Sequence, residues 1–161
     1  MTKDTLHSDE KKRQLKLYRD LAIAAIDWHI DNKTLEVKTV DFDSNVHLNE
    51  GKIQIQKDYE KGYLSKLKQW FNSFAETPRA TRDLSYTEYL KRKTGHDFDI
   101  FETFYKNIDR VLVRKKINSG NQFYDVGVLV DFLSQAQPVD KEKMDTLNKL
   151  LADYEKRVLK K

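Results

Sequence analysis

Apolar residues recur every three or four positions along most of this 161-residue chain, which is the period of an amphipathic α-helix. The last segment is the most regular, because Asp140 stands in a capping position and six apolar residues follow at helical spacing. The spacing predicts five helices and one further segment that is ambiguous; in chain order the six lie over about residues 9–31, 58–74, 85–95, 99–116, 123–133 and 140–158.

The ambiguous segment is the fifth, because its residues fit two periods. Val126, Val128 and Val130 alternate as in a strand, whereas Phe123, Val126, Val130 and Leu133 lie on one face of a helix. Its length favours a helix.

Several helix ends carry recognisable signals. Ser85 and Glu88 have the spacing of a capping box, and Gly95 suits a left-handed helix end. Pro78 is expected to close the second helix, since the residue before a proline avoids helical backbone angles. Ser119, with the glycine after it, is interpreted as the end of the fourth helix.

Between the first two helices the period changes from 3.6 to 2. Apolar and polar side chains alternate at two places. Leu35 and Val37 are the apolar residues of the first, and Ile53 and Ile55 are those of the second. Gly51 offers a turn residue that tolerates positive φ, and residues 43–45 offer a second turn. We therefore predict a small β-hairpin at about residues 34–56.

The predicted fold is mainly α (α+β): a bundle of five to six helices with a β-hairpin inserted after the first helix. Residues 1–8 are polar and without period, so they are expected to form a flexible lead to a single helical domain over 9–161. The core is expected to contain Trp70, Phe71, Phe74, Phe101, Phe104, Ile108, Leu147, Leu151 and Tyr154.

Composition excludes several classes of protein. The chain has no cysteine, so disulfides, thiolate zinc sites and cysteine nucleophiles are impossible. Its longest aliphatic run, Leu21–Ile26, is far shorter than the roughly 20 residues of a membrane span, and residues 1–14 lack an apolar signal region. We expect a cytoplasmic protein without membrane association.

No catalytic or nucleotide-binding motif occurs, and with five glycines a phosphate-binding loop is not expected. We therefore favour a non-enzymatic protein with no cofactor and no metal. A metal-dependent enzyme using His96, Asp97 and Asp99 is the least favoured alternative, because carboxylates before a helix are expected as caps. His29 lies on the apolar face of the first helix, which predicts a hydrogen-bonded, partly buried histidine.

Basic residues form four clusters, at 11–13, 91–93, 114–116 and 156–161, within a net charge of +4. Three of them lie in the last turn of a predicted helix, where the macrodipole favours each cation by about 0.3–1 kcal/mol without any partner. The alternative is a nucleic-acid site in which tyrosines stack on bases beside cations. Its candidate residues are Arg79, Arg82, Tyr86, Tyr89, Arg92, Lys93, Arg114 and Lys115.

The segment from Asp125 to Pro138 is rich in Val, Leu and Phe and has no basic residue. It predicts an interaction surface around Val128, Leu129 and Phe132. The leading hypothesis is thus a non-enzymatic interaction module whose partner is another protein or a second copy of the chain. The alternative is a nucleic-acid-binding accessory protein that uses the basic helix ends.

Overall fold

A computed structural model gives the structure of residues 3–160, with side chains from residue 7 onwards. Over this range the chain is all-α, with seven helices and no strand. The helices are α1 (Lys3–Asp31), α2 (Ser44–Glu60), α3 (Leu64–Ala80), α4 (Ser85–Thr94), α5 (Glu102–Arg114), α6 (Gly120–Ser134) and α7 (Lys141–Leu159).

The chain divides into two compact units. The first holds α1 to α4 and ends at Phe98, and the second begins at Asp99 and holds α5 to α7. The single domain over residues 9–161 stays a prediction. The helical backbone of α1 already includes residues 3–8 of the predicted lead, whose first two residues lie outside the described part of the chain.

The predicted β-hairpin is wrong, because its second half is α2. Within residues 3–160 the only β feature is an isolated antiparallel bridge between Lys38 and Asp43. Asp43, expected in a turn, is the N-cap of α2, and its Oδ1 accepts a hydrogen bond of 2.9 Å from the Asn45 N–H. The alternation around Ile55 was too short to distinguish the two periods, and in α2 this side chain is completely buried.

Gly51 serves close helix packing rather than a turn. A Cβ at this position would lie 3.3 Å from Ile26 Cδ1 in α1 and 3.5 Å from the Trp70 ring in α3. The absence of a side chain therefore lets α2 lie close against α1, whereas a Cβ would make only ordinary contact with Trp70 in α3. This packing explains why a glycine in a β-patterned segment occurs inside a helix.

The core of the first unit is built around α1, which packs against α2, α3 and α4. Residues 21, 22 and 24–26 are buried, whereas Ile23 and Asp27 on the remaining face of the helix are half-buried. The Phe71 ring lies edge-on to Tyr18 and Phe98, with centroids 6.2 and 5.4 Å away. In the second unit α6 packs against both α5 and α7.

Five of the predicted core residues are buried: Phe71, Phe101, Phe104, Ile108 and Leu147. The other four, Trp70, Phe74, Leu151 and Tyr154, are half-buried. The predicted caps are confirmed at Asp140, whose Oδ1 accepts from the Lys143 N–H, and at Gly95, which has φ 73°.

Two other predicted caps are wrong. Asp83, not Ser85, accepts from the backbone N–H at the start of α4, through a 3.1 Å bond to the Ser85 nitrogen. Ser119 begins α6 rather than ending α5, because its hydroxyl accepts from the Gln122 N–H. α4 does begin at Ser85, as predicted, but the carboxylate that bonds its first N–H lies two residues earlier. Ser119 lies between two helices, so spacing alone did not show which of them it caps.

The second predicted helix begins later than expected, at Leu64, and continues through Pro78. Because proline has no N–H, the Phe74 carbonyl lacks its donor within α3. The Nε2–H of His29 in α1 donates to that carbonyl over 2.7 Å, and Nδ1 accepts from the Thr34 hydroxyl. His29 is 2% exposed, and burial lowers its pKa below the ordinary value. The buried, hydrogen-bonded histidine is confirmed.

Candidate functional site

The tyrosines of the predicted nucleic-acid site lie inside the first unit. Tyr86 is fully buried, with its ring edge-on to Trp28 at 5.4 Å. Tyr89 is nearly buried, and its hydroxyl donates to Asp31 Oδ2 over 2.6 Å. Burial removes the base-stacking role of both rings, and their three-residue spacing reflects packing of α4 against α1.

The cations around α4 are mostly held within the first unit. Lys93 Nζ lies 3.3 Å from Asp31 Oδ2, and Lys91 Nζ lies 3.8 Å from Asp97 Oδ1. The Arg92 guanidinium carbon lies 5.3 Å from the centre of the Tyr89 ring. These contacts are those of a solvated helix end. Two further cations of the predicted nucleic-acid site precede α4 in sequence: Arg79 is exposed and Arg82 is half-buried.

A basic cleft in the second unit brings together two clusters that are 40 residues apart in sequence. Lys115 ends α5 in a left-handed conformation with φ 52°, and the fully buried Ile117 anchors the chain after it. From the end of α7, Arg157 Nη2 donates to the Ile117 carbonyl over 2.8 Å. The cleft has a volume of about 420 Å³, and its lining is Lys115, Lys116, Ile117, Leu150, Asp153, Lys156 and Arg157.

This basic cleft has four cations and one carboxylate, that of Asp153. Lys115, Lys116 and Lys156 are exposed and make no ion pair among the described residues. Converging cations of this kind suit a phosphate-bearing ligand. Sequence reasoning selected Lys115 but not the other three, and their proximity follows only from how α5 and α7 end. Arg114, also selected, is exposed and does not line the cleft.

The predicted surface on α6 is corrected at one position. Leu129 is 2% exposed and belongs to the core of the second unit, so it is not available to a partner. Val128 and Phe132 are half-buried. The apolar composition of α6 thus serves packing in part, which composition could not distinguish from an interaction surface.

A stronger apolar surface lies in the first unit, in the segment between α1 and α2, and was predicted to be a strand. We call residues 32–43, together with Val46 in the first turn of α2, the apolar loop. Its apolar side chains are between 40% and 101% exposed: Leu35, Val37, Val40, Phe42 and Val46. The alternating pattern that suggested a strand included Leu35 and Val37 of this surface, but not its other three apolar residues.

Hydrogen bonds that cross the apolar loop hold its backbone. The buried Ser44 donates its N–H to the Val37 carbonyl over 2.9 Å, and its hydroxyl accepts from the Val37 N–H over 2.8 Å. Thr39 N–H donates to the Phe42 carbonyl over 2.7 Å, and the Phe42 ring stacks on His47 at 4.8 Å. The loop thus presents apolar side chains on an ordered backbone, which lowers the entropic cost of binding.

The residues of the metal hypothesis have other partners. His96 Nε2 lies 2.9 Å from Asp20 Oδ2, and Asp99 Oδ1 accepts from the Phe101 N–H. Across the described side chains, no group of three or more His, Asp or Glu residues is placed to hold a metal ion. None of the helices in residues 3–160 combines the length and apolar character needed to span a bilayer.

Comparison with known proteins found no matching family model, no matching curated protein and no matching solved structure.

Proposed function

We propose that this protein is a non-enzymatic interaction module that associates with a second copy of itself through the apolar loop. The observation that carries the proposal is the ordered backbone of this loop with five exposed apolar side chains. Exposed apolar side chains gathered in one short segment mark a candidate interaction site on a folded protein.

The loop also has an open backbone edge. Val37 and Thr39 direct their hydrogen bonds inward, towards Ser44 and Phe42. Between them, the N–H and C=O of Lys38 make no hydrogen bond within the described residues. An exposed edge of this kind pairs readily with another extended chain.

Charge complementarity favours a second copy as the partner. In an antiparallel pair centred on Val37, Glu36 of each copy lies opposite Lys38 of the other, so the contact contains two opposite-charge pairs. The Lys38 N–H can then donate to the Glu36 carbonyl across the edge. Leu35 and Val37 add apolar contacts beside it.

Sedimentation velocity over a concentration series tests this pairing. We expect Glu36→Lys alone and Lys38→Glu alone each to weaken self-association by about tenfold, because like charges then face each other. The double variant restores opposite charges between the copies and should associate more tightly than either single variant, although it lacks the 3.9 Å contact of Lys38 with Asp43 in its own chain. Val37→Asp, at the centre of the pair, should abolish it, whereas the control Val113→Asp, at an exposed valine of α5, should not.

A monomer at high micromolar concentration would contradict self-association. Association that persists in Val37→Asp, or a double variant no better associated than the single variants, would place the contact elsewhere than the apolar loop.

A second candidate function, binding of a nucleic acid, is favoured by the basic cleft. Four cations within one lining could contact about four phosphates, so affinity should fall about 10²-fold between 50 and 200 mM salt. Fluorescence anisotropy of labelled oligonucleotides measures this. Lys115→Glu with Lys156→Glu should abolish binding, and the control pair Arg92→Glu with Lys93→Glu should not.

Absence of binding at 50 mM salt would exclude this second function. Loss of binding in the control pair instead would locate the contact at the end of α4.

A further inference from the structure

The first unit contains a cleft between α2 and α3 that neither proposed function uses. Its volume is about 640 Å³, within the usual range for small-molecule sites. One wall is aromatic and consists of Trp70 and Phe74. Their rings lie 2° from parallel, with centroids 6.1 Å apart. The polar lining comes from Gln54, Asp58, Gln69 and Ser73.

Asp58 is the unusual residue of this cleft. It is 2% exposed, and its carboxylate accepts from two neutral donors, Gln54 Nε2 at 3.0 Å and Trp70 Nε1 at 3.1 Å. No cation of the described residues lies within ion-pair distance of it. Buried carboxylates are normally paired with a cation, so Asp58 lacks a countercharge.

The carboxylate has the capacity to bind a further donor. Each oxygen has about two acceptor positions, and the protein uses one on each. Asp58 lines the cleft, so a ligand N–H that reaches its carboxylate from there finds an acceptor position that the described residues leave free. A single carboxylate among amides and aromatic rings does not form a divalent metal site, which requires several oxygen ligands.

We infer that this cleft binds the guanidinium group of a small molecule or of an arginine side chain. A guanidinium is planar and cationic, so it stacks on the Trp70 and Phe74 wall while donating hydrogen bonds to Asp58. It also supplies the charge that the carboxylate lacks. Lys66, the one cation of the lining, opposes it, although its Nζ lies over the Tyr63 ring, 4.8 Å from the centre.

The two indole N–H resonances in the proton–nitrogen NMR spectrum test this inference. Trp70 donates its indole N–H to Asp58, so agmatine should shift that resonance in a saturable way. Trp28, which is buried among Tyr86 and His29, should not shift and provides the internal reference. The blocked tripeptide Gly-Arg-Gly, titrated in parallel, distinguishes an arginine side chain from a free small molecule.

Variants locate the binding. Asp58→Asn preserves shape and removes the charge, so agmatine affinity should fall at least about tenfold. The matched control Asp41→Asn, an exposed acid of the apolar loop, should bind as wild type. Lys66→Gln should bind more tightly, and this variant tests the inference even if Asp58→Asn fails to fold.

A Trp70 resonance that does not respond to either probe would overturn the inference. An unchanged affinity in folded Asp58→Asn or in Lys66→Gln would do the same. Tetramethylammonium, which has no N–H donor, should bind more weakly than agmatine; equal binding would mean that Asp58 takes no part.

Discussion

Replacement of His29 by leucine should lower the free energy of unfolding by about 1–3 kcal/mol. The leucine leaves the Phe74 carbonyl without a donor, because Pro78 supplies no N–H within α3. Urea unfolding measures the loss.

A double-mutant cycle separates this hydrogen bond from packing. In a Pro78→Ala background, the new N–H can bond the Phe74 carbonyl, so His29→Leu should cost about 1 kcal/mol less than it does in the wild type. Equal costs in the two backgrounds would show that the bond from His29 to the Phe74 carbonyl contributes nothing, leaving packing and the Thr34 bond.

The same histidine should make stability depend on pH. Burial lowers the pKa of His29 in the folded protein, so as the pH falls below about 6.5 the unfolded chain binds a proton that the folded one does not. The contribution of neutral His29 to the free energy of unfolding is therefore complete above about pH 6.5. It is lost as the pH falls below that value, with a slope of at most about 1.4 kcal/mol per pH unit. His29→Leu should lack this slope, whereas His47→Gln, at an exposed position, should keep it.

Replacement of Tyr86 by phenylalanine should raise the free energy of unfolding by about 1 kcal/mol. The Tyr86 hydroxyl is buried and has no hydrogen-bond partner among the described residues. Burial also raises the pKa of this phenol, because the charged form is disfavoured there. Removing an unsatisfied buried hydroxyl removes its desolvation cost.

Tyr89, one helical turn away, provides the matched control. Its hydroxyl donates to Asp31, so Tyr89→Phe should lower stability by about 1 kcal/mol, with the opposite sign from Tyr86→Phe. Thermal and urea unfolding of both variants measure the difference. A stability loss in Tyr86→Phe would indicate a water-mediated bond to that hydroxyl.

The candidate sites were only partly predictable from sequence. The basic clusters at 114–116 and 156–161 were recognisable, but their convergence around Ile117 depends on the path of the chain after α5. The apolar loop carried part of its signal as an alternating pattern. That pattern was interpreted as a strand, because alternation does not distinguish an exposed ordered loop from a paired strand.

The sequence by itself determined where most helices form, because helical spacing and local caps such as Asp140 and Gly95 act within a few residues of the chain. Only the tertiary structure decided that residues 44–60 are helical and that Pro78 lies inside a helix. Gly51 packs closely against Ile26 of α1, and the carbonyl that Pro78 leaves free is bonded by His29. Both outcomes depend on residues distant in sequence, and such contacts override local propensity when the buried side chains and hydrogen bonds favour them.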